Sequence, residues 1–191
     1  MRRLLLIIAL LFTYTLASAQ STFRLNNTSS WIKIKGTSSI HEWEMAAEEF
    51  SGKADFLLVG NKIERADNVF LEVVVNSLES GKSIMDKKTM NALRQEDFPT
   101  ISFESTSTTC STGHIDFVGN LKIVGNSQVV KSKVNYDLSQ GVPHISGSVT
   151  LLMSGFGIEP PVALMGTLKT GDQVTIEFDL IYELNPNILN K

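Results

Sequence analysis

The residues best suited to chemistry lie together in the stretch GTSSIHEWEM, residues 36–45. A hydrolase would use Ser38 or Ser39 as the nucleophile, His41 as the base and one of the two following glutamates to orient the histidine. A serine hydroxyl attacks only when a base lies within hydrogen-bond reach. The stretch therefore raises the hypothesis of a serine hydrolase.

Strand geometry argues against a catalytic triad in this stretch. In an extended chain, His41, Trp43 and Met45 share one face, and Glu42 and Glu44 share the other. Small hydroxyl residues before such a strand more often bond the backbone of a turn than act as nucleophiles. We therefore expect Trp31 to Lys35 to form a strand, Gly36 to Ser39 a turn or bulge and His41 to Met45 the next strand, with no catalytic residues and no enzyme activity.

The other reactive side chains give no stronger signal. His41, His114 and His144 lack the i, i+2 or i, i+4 spacing that simple metal sites use, so no metal site is predicted. Cys110 is the one cysteine, which excludes an intrachain disulfide. It lies in a Ser/Thr-rich segment, which favours a loop or strand end over a reactive thiol.

The first 19 residues have the pattern of a cleavable signal peptide. Arg2 and Arg3 precede an apolar run, Leu4 to Leu16, which ends in Ala17-Ser18-Ala19. The run is shorter than the roughly 20 apolar residues that a spanning helix needs, so no stable membrane anchor is expected. The sequence predicts a periplasmic protein with a signal peptide at residues 1–19 and one mature domain at residues 20–191.

Charge and composition narrow the function classes. Loss of residues 1–19 removes two arginines, so 17 basic and 20 acidic residues become 15 and 20, a net charge of −5. That balance argues against a nucleic-acid partner. With 191 residues and 42% hydrophobic content, the chain can bury a core without metal, cofactor or disulfide.

Most of the mature chain alternates between apolar and polar residues, which predicts antiparallel strands. The pattern is clearest from Ile145 to Met153 and from Val174 to Tyr182. Turns are predicted where glycine pairs with a polar residue or interrupts the alternation. These positions are Gly60-Asn61, Gly125-Asn126, Gly141 and Gly171-Asp172.

One segment breaks the alternation and predicts a short helix over about residues 87–95. Asp86 is positioned to cap it, with Met85 packed against Met90 as a hydrophobic staple. Met90 and Leu93 lie one turn apart and would face the sheet. Closing the sheet removes exposed edges, so the predicted fold is an all-β antiparallel barrel with one helix.

Four segments in this order resemble the YceI-like proteins: the short helix, FPTISFES at 98–105, GNLKIVG at 119–125 and FGIEPPVALMGTLKTGDQVTIEF at 156–178. The resemblance covers nearly the whole mature chain. It implies an exported, lipocalin-like extended barrel that binds long amphiphiles such as polyisoprenoids, without established catalytic residues. The turn at residues 125–128 and the stretch GTSSIHEWEM depart from the commoner family pattern and leave the lipid unidentified.

The resemblance also turns inward-facing apolar positions into candidate ligand contacts. His41 and Trp43 are candidates for contacting a head group at the barrel mouth, although a structural histidine is the simpler alternative. A structural or partner-binding periplasmic barrel with a filled core would show the same alternation, so it stays open, as does the oligomeric state. The candidate tunnel residues are Ile101, Phe103, Phe117, Leu121, Val149, Leu151, Met153, Ile176, Phe178 and Leu180.

Overall fold

The computed structural model describes residues 20–163 and 168–185, so the predicted signal peptide lies outside the described residues. Within them, strands follow one another along the chain and are interrupted by one α-helix and two short 3₁₀ turns, Val75–Ser77 and Met153–Phe156. The elements are β1 Ser21–Leu25, β2 Trp31–Ser38, β3 Glu42–Ala47, β4 Phe50–Val59, β5 Lys62–Val74, β6 Leu78–Glu79, α1 Ser83–Ala92, β7 Thr100–Ser111, β8 His114–Ile123, β9 Asn126–Ser139, β10 Val142–Leu152, β11 Val162–Ala163 and β12 Leu168–Leu184.

Eight antiparallel strands close into a barrel in the order β1-β4-β5-β7-β8-β9-β10-β12. The barrel closes because β1 also pairs with the end of β12, where Phe23 lies opposite Leu184. The earlier part of β12 pairs with β2, from Thr170 to Asp179, so β2, β3 and β6 extend the wall at one end. The predicted antiparallel barrel is confirmed.

The end of the barrel built by β1, β4 and the last residues of β12 is tightly packed. Phe56 is 1% exposed, and its ring centroid lies 5.4 Å from those of both Phe23 and Tyr182. The Ile63 amide donates to the Tyr136 hydroxyl at 3.3 Å, which satisfies a polar group inside the core. Here alternate strand residues meet across the interior and fill it, so we call this region the closed end.

Helix α1 confirms the single predicted helix among the described residues, but it begins at Ser83 and ends at Ala92. The predicted start was later because Asp86 was assigned to the cap. Lys82 occupies the cap position without a side-chain hydrogen bond, and Asp86 instead accepts from the amide and hydroxyl of Ser80 at 2.8 and 2.5 Å. Asp86 therefore fixes the loop before the helix.

Two predicted turns are part of strands. Strand β2 continues through Gly36 to Ser38. Gly36 pairs with Trp43 on β3, whose ring occupies the space that a Cβ at Gly36 would need. Gly171 and the next residue lie inside β12, where the pairing with β2 shifts register in a bulge. The turns at Gly60, Gly125 and Gly141 are confirmed, each with positive φ.

Candidate functional site: an apolar cavity under the helix

A cavity of about 570 Å³ lies at the end of the barrel opposite the closed end, and we call it the outer chamber. Its walls come from strand ends, from helix α1 and from the segment between β10 and β12. It is lined by Ile34, Ser38, His41, Trp43, Met45, Leu78, Lys82, Ser83, Ile84, Met85, Lys88, Thr89, Ala92, Leu93, Ile101, Ile123, Leu151, Met153, Ile158, Pro161, Val162, Leu168, Thr170, Val174 and Ile176.

The outer chamber is apolar because both the strands and the helix turn their apolar side chains towards it. Strand positions two residues apart, such as Val174 and Ile176 on β12, point to the same face of the sheet. The helix contributes Met85 and Thr89, four residues apart, and Leu93 follows at the same spacing just after the helix ends. The Thr89 hydroxyl is turned to the sulfur of Met45 at 3.4 Å.

Deeper in the barrel lies a second cavity of about 120 Å³, the inner chamber, with Ile176 lining both cavities. The inner chamber is narrow because two aromatic rings occupy the space next to glycines, which have no side chain. A Cβ added at Gly119 would lie 2.5 Å from the ring of Phe103, and one at Gly147 would lie 3.3 Å from the ring of Phe178. Phe56 and Tyr182 also line the inner chamber, so it extends from the outer chamber to the border of the closed end.

The polar groups at the mouth of the outer chamber are basic or neutral. Lys82, Lys88 and His41 line it, and its described lining includes no carboxylate. The Lys88 ammonium donates to the Val162 carbonyl at 2.6 Å. His41 Nδ1 lies 2.7 Å from the Glu42 carbonyl, an oxygen that can only accept, so Nδ1 carries a proton and Nε2 is the ring's other polar atom. The mouth is suited to an uncharged or anionic polar group.

The catalytic triad suggested by the stretch at residues 36–45 is not assembled. The Ser38 hydroxyl donates to the His41 carbonyl at 2.8 Å and accepts from the His41 amide at 3.2 Å. The Ser39 hydroxyl accepts from the amide of Lys169 at 3.2 Å. Both serines thus bond the backbone, as expected. His41 lies in the turn just before β3, and its ring bonds a main-chain carbonyl rather than a serine.

Glu44 forms ion pairs on the outer face of the barrel wall. Its carboxylate pairs with Lys33 at 2.8 Å and with Lys35 at 3.8 Å. The hydrogen bond from Lys33 lowers the pKa of Glu44 below its ordinary value. Trp43 and Met45 line the outer chamber from this strand, so Glu44 lies on the opposite face, as predicted. The predicted strand start at His41 is wrong, because β3 begins at Glu42 and His41 lies in the preceding turn.

The remaining reactive residues lie away from the outer chamber. Cys110 is the penultimate residue of β7, half-buried, and burial raises the pKa of its thiol. A thiol with a raised pKa holds less of the reactive thiolate. Across residues 20–163 and 168–185, no group of three His, Cys, Asp or Glu side chains is arranged to hold a metal ion. In the same ranges, no helix has the length and apolar character needed to cross a membrane.

The structure brings all the candidate ligand residues to one of the two chambers. His41 and Trp43 line the outer chamber together with Ile101, Leu151, Met153 and Ile176. The inner chamber is lined by Phe103, Phe117, Leu121, Val149, Ile176, Phe178 and Leu180. That a ligand contacts these residues stays a prediction.

Sequence reasoning missed most of the wall formed by the helix and by the segment after β10. Met85 and Leu93 were predicted only to pack the helix, and Ile84, Ile158 and Val162 were not assigned a role. A signal was present, because Ile84 is a large apolar residue two positions after Lys82, in a segment with no strand alternation. The pattern does not say, however, that the helix leaves a space beneath it.

Comparison with known proteins identifies one matching family and several solved structures with the same fold. The family described as YceI-like domain matches residues 14–182. BcnA of Burkholderia cenocepacia is 16% identical with a TM-score of 0.71, and the alignment covers 82% of this chain and 98% of that one. No curated protein sequence matches significantly.

Two further solved structures share the fold. A polyisoprenoid binding domain from Saccharophagus degradans, implicated in plant cell wall breakdown, is 13% identical with a TM-score of 0.67, covering 87% of this chain and all (100%) of that one. The Campylobacter jejuni YCEI protein is 11% identical with a TM-score of 0.61, covering 74% of this chain and 85% of that one. At these identities the likeness establishes the barrel alone.

Proposed function

This chain belongs to the YceI-like domain family, and from that premise we propose that it binds one long-chain, isoprenoid-like lipid inside the barrel, for carriage or storage. The apolar tail lies in the outer chamber and extends towards the inner chamber. The polar head stays at the mouth, near His41, Lys82 and Lys88. The similarity to a structure described as a polyisoprenoid binding domain supports this ligand class.

The observation that carries the proposal is the size and character of the outer chamber. Its volume of about 570 Å³ falls within the roughly 300–1,000 Å³ typical of small-molecule sites. Its walls are mostly aliphatic side chains, and its polar lining includes the exposed residues His41, Lys82 and Ser83. Such a site removes a hydrocarbon chain from water while leaving a polar end solvated.

The position of the basic residues favours a head group that accepts hydrogen bonds. Lys82 and Lys88 supply ammonium donors, whereas Nε2 of the neutral His41 ring is an acceptor, because Nδ1 carries the proton. Phosphate and hydroxyl groups both accept from such donors, and charge-assisted bonds are the stronger ones. The head group is therefore an alcohol or, with greater affinity, an anion.

The proposal includes export to the periplasm as a chain that begins at Gln20. The support is the charged and apolar pattern of residues 1–19 with Ala17-Ser18-Ala19 at its end. N-terminal sequencing of protein recovered from the periplasmic fraction is expected to start at Gln20. Recovery of membrane-embedded protein that retains Met1 would contradict this part of the proposal.

Titration with isoprenols of increasing chain length tests the binding function. Each isoprene unit adds five carbons, and at about 0.3 kcal/mol per heavy atom this gives about 1.5 kcal/mol, or roughly tenfold in Kd. We expect that slope until the chambers are full, and then a plateau. Affinity that does not depend on chain length would favour the alternative, a structural or partner-binding barrel without a lipid ligand.

A pair of variants separates interior binding from nonspecific adsorption. Phe178→Asp places a charge in the inner chamber, and Val129→Asp places the same charge on the exposed face of β9. The first should flatten the chain-length slope, because a buried charge without a partner is strongly unfavourable. The second should leave the slope unchanged. Circular dichroism must show that both variants fold.

A further inference from the structure

We propose that the rim of the outer chamber is a docking surface for an anionic lipid bilayer, through which the lipid passes between membrane and protein. The inference rests on the proposed lipid-binding function. A long isoprenoid is nearly insoluble in water, because each of its many apolar carbons is unfavourable to expose to water. A binding protein gains a route for such a ligand if its mouth contacts the bilayer directly.

The first observation is a set of exposed apolar side chains around the mouth. Ile84 in the first turn of α1 is 75% exposed, and Ile40 at the tip of the β2–β3 hairpin is 69% exposed. Val162 on β11 is 55% exposed. Single exposed apolar residues are ordinary, but three on separate elements around one opening form a surface suited to an apolar partner.

Hydrogen bonds hold these three elements around the same opening. The Ser39 amide donates to the Lys169 carbonyl at 2.9 Å, which ties the hairpin tip to β12. Lys169 is paired with Val162 on β11. The Lys88 ammonium, from α1, donates to the Val162 carbonyl at 2.6 Å. The rim is thus one connected surface.

Charge selects an anionic bilayer as the occupant. The rim segments 38–42, 82–89, 158–162 and 168–170 carry four lysines and three acids, a formal net charge of +1, whereas the whole chain carries −3. One of the acids, Asp86, is bonded to Ser80. Lysine side chains near an anionic membrane surface are attracted to it. The lysines are Lys82, Lys87, Lys88 and Lys169, and the acids are Glu42, Asp86 and Glu159.

A bilayer fits this combination better than a second copy of the chain. Apolar side chains that project singly between lysines match the interface of a membrane, where hydrocarbon and anionic groups lie within a few ångströms of each other. A second copy would present the same lysines to this rim in a symmetric contact. Membrane contact at this rim would also place the mouth of the outer chamber against the acyl chains.

Vesicle flotation tests the proposal with two double variants. Ile40→Ser with Lys87→Gln removes one apolar and one basic residue of the rim, and neither residue lines the outer chamber. Val59→Ser with Lys62→Gln makes the same changes at the β4–β5 turn of the closed end. The vesicles are equimolar phosphatidylcholine and phosphatidylglycerol, and the comparison vesicles are pure phosphatidylcholine.

We expect the unmodified protein to float with the anionic vesicles, less with the neutral ones, and less again at high salt because screening weakens surface attraction. The rim variant should lose about tenfold or more in partitioning, while the closed-end variant should match the unmodified protein. Absence of flotation, or equal partitioning of the two variants, would overturn the docking surface.

Isoprenol titration without vesicles separates this proposal from the proposed function. The rim variant should bind a short isoprenol as the unmodified protein does. If neither binds isoprenol, the proposed function fails, whatever the flotation shows. If both bind isoprenol but the rim variant floats as well as the closed-end variant, only the docking surface fails. Self-association at the rim, detected by analytical ultracentrifugation, would point to a second copy and would also overturn membrane docking.

Discussion

The outer chamber and the closed end are built by the same alternating strands, yet one holds a cavity and the other a packed core. Strand β12 contributes to both, with Val174 in the wall of the outer chamber and Tyr182 in the aromatic cluster of the closed end. At the closed end, the rings of Phe56 on β4 and Tyr182 on β12 meet edge to face, and the ring of Phe23 on β1 packs at a tilt against Phe56. At the other end, the added wall of β2 and β3 and the covering helix leave the interior open.

The comparison teaches that the apolar pattern alone does not decide whether a barrel is full. Side-chain size and the spacing of the walls decide it, as the middle of the barrel shows. Gly119 and Gly147 admit the rings of Phe103 and Phe178, which narrow the interior to the inner chamber. The difference between the two ends is therefore a matter of which side chains meet across the barrel.

The largest expected effect comes from truncation at the closed end. Phe23→Ala should lower the free energy of unfolding by about 3–5 kcal/mol, because it removes a ring that is 2% exposed and lines neither chamber, and so leaves a void. Met153→Ala in the outer chamber should cost about 1 kcal/mol or less, since one side of this side chain already faces a cavity. Urea unfolding at constant m-value measures both. Equal costs would show that the two ends are packed alike.

A change that fills the outer chamber should act on binding more than on stability. Leu151→Trp places an indole in the chamber and should weaken isoprenoid binding by about tenfold or more, the amount that one lost isoprene contact supplies. Leu152→Trp, at the next position, is the matched control because Leu152 is 52% exposed on the outer face. Calorimetric titration compares them. Similar affinities would place the ligand outside the chamber.

The rate of thiol labelling should differ between a cysteine in the main core and one in the outer chamber, and this is the smallest of the expected effects. Cys110 lies opposite Ile115 on β8 and packs against the main core. Burial, with Asp67 and Glu64 adding to it, raises the pKa of this thiol. The thiolate is the reacting form, so less of it exists at a given pH. Its labelling rate should rise to half-maximum above the pH of about 8.5 seen for free cysteine, and isoprenoid should not change it.

The matched thiol is Met153→Cys in a Cys110→Ser background, which places the cysteine in the outer chamber. It should label faster than Cys110 at the same pH, and bound isoprenoid should slow it several-fold by covering it. If isoprenoid protects Cys110 instead, the ligand occupies the other end of the barrel.

Much of the fold could be predicted from the sequence because alternation is a local signal. Strands β10 and β12 follow the two clearest patterns, and the helix follows the one segment that breaks them. The helix start was displaced because Asp86 has two local options, a cap or a bond to the preceding loop. Whether Asp86 bonds to Ser80 depends on the conformation of that loop, which the local sequence does not specify.

The candidate site was predictable only in part. Inward positions such as Leu151 and Ile176 follow from alternation, and both line the outer chamber. Gly36 was assigned to a turn because glycine favours turns, whereas its place in β2 is explained by the ring of Trp43, a contact across two strands. The chamber itself depends on the distance between helix and sheet, and no periodicity reports that distance.

Tryptophan quenching tests the central claim, that a lipid lies in the outer chamber with its head at the mouth. The two tryptophans are Trp31, which is exposed, and Trp43, which lines the chamber. In Trp31→Phe protein, an isoprenoid brominated beside the head group should quench Trp43 strongly, and one brominated at the tail end should quench it less. Strong quenching in Trp43→Phe protein, or bound lipid that leaves Trp43 unquenched in both cases, would contradict the account.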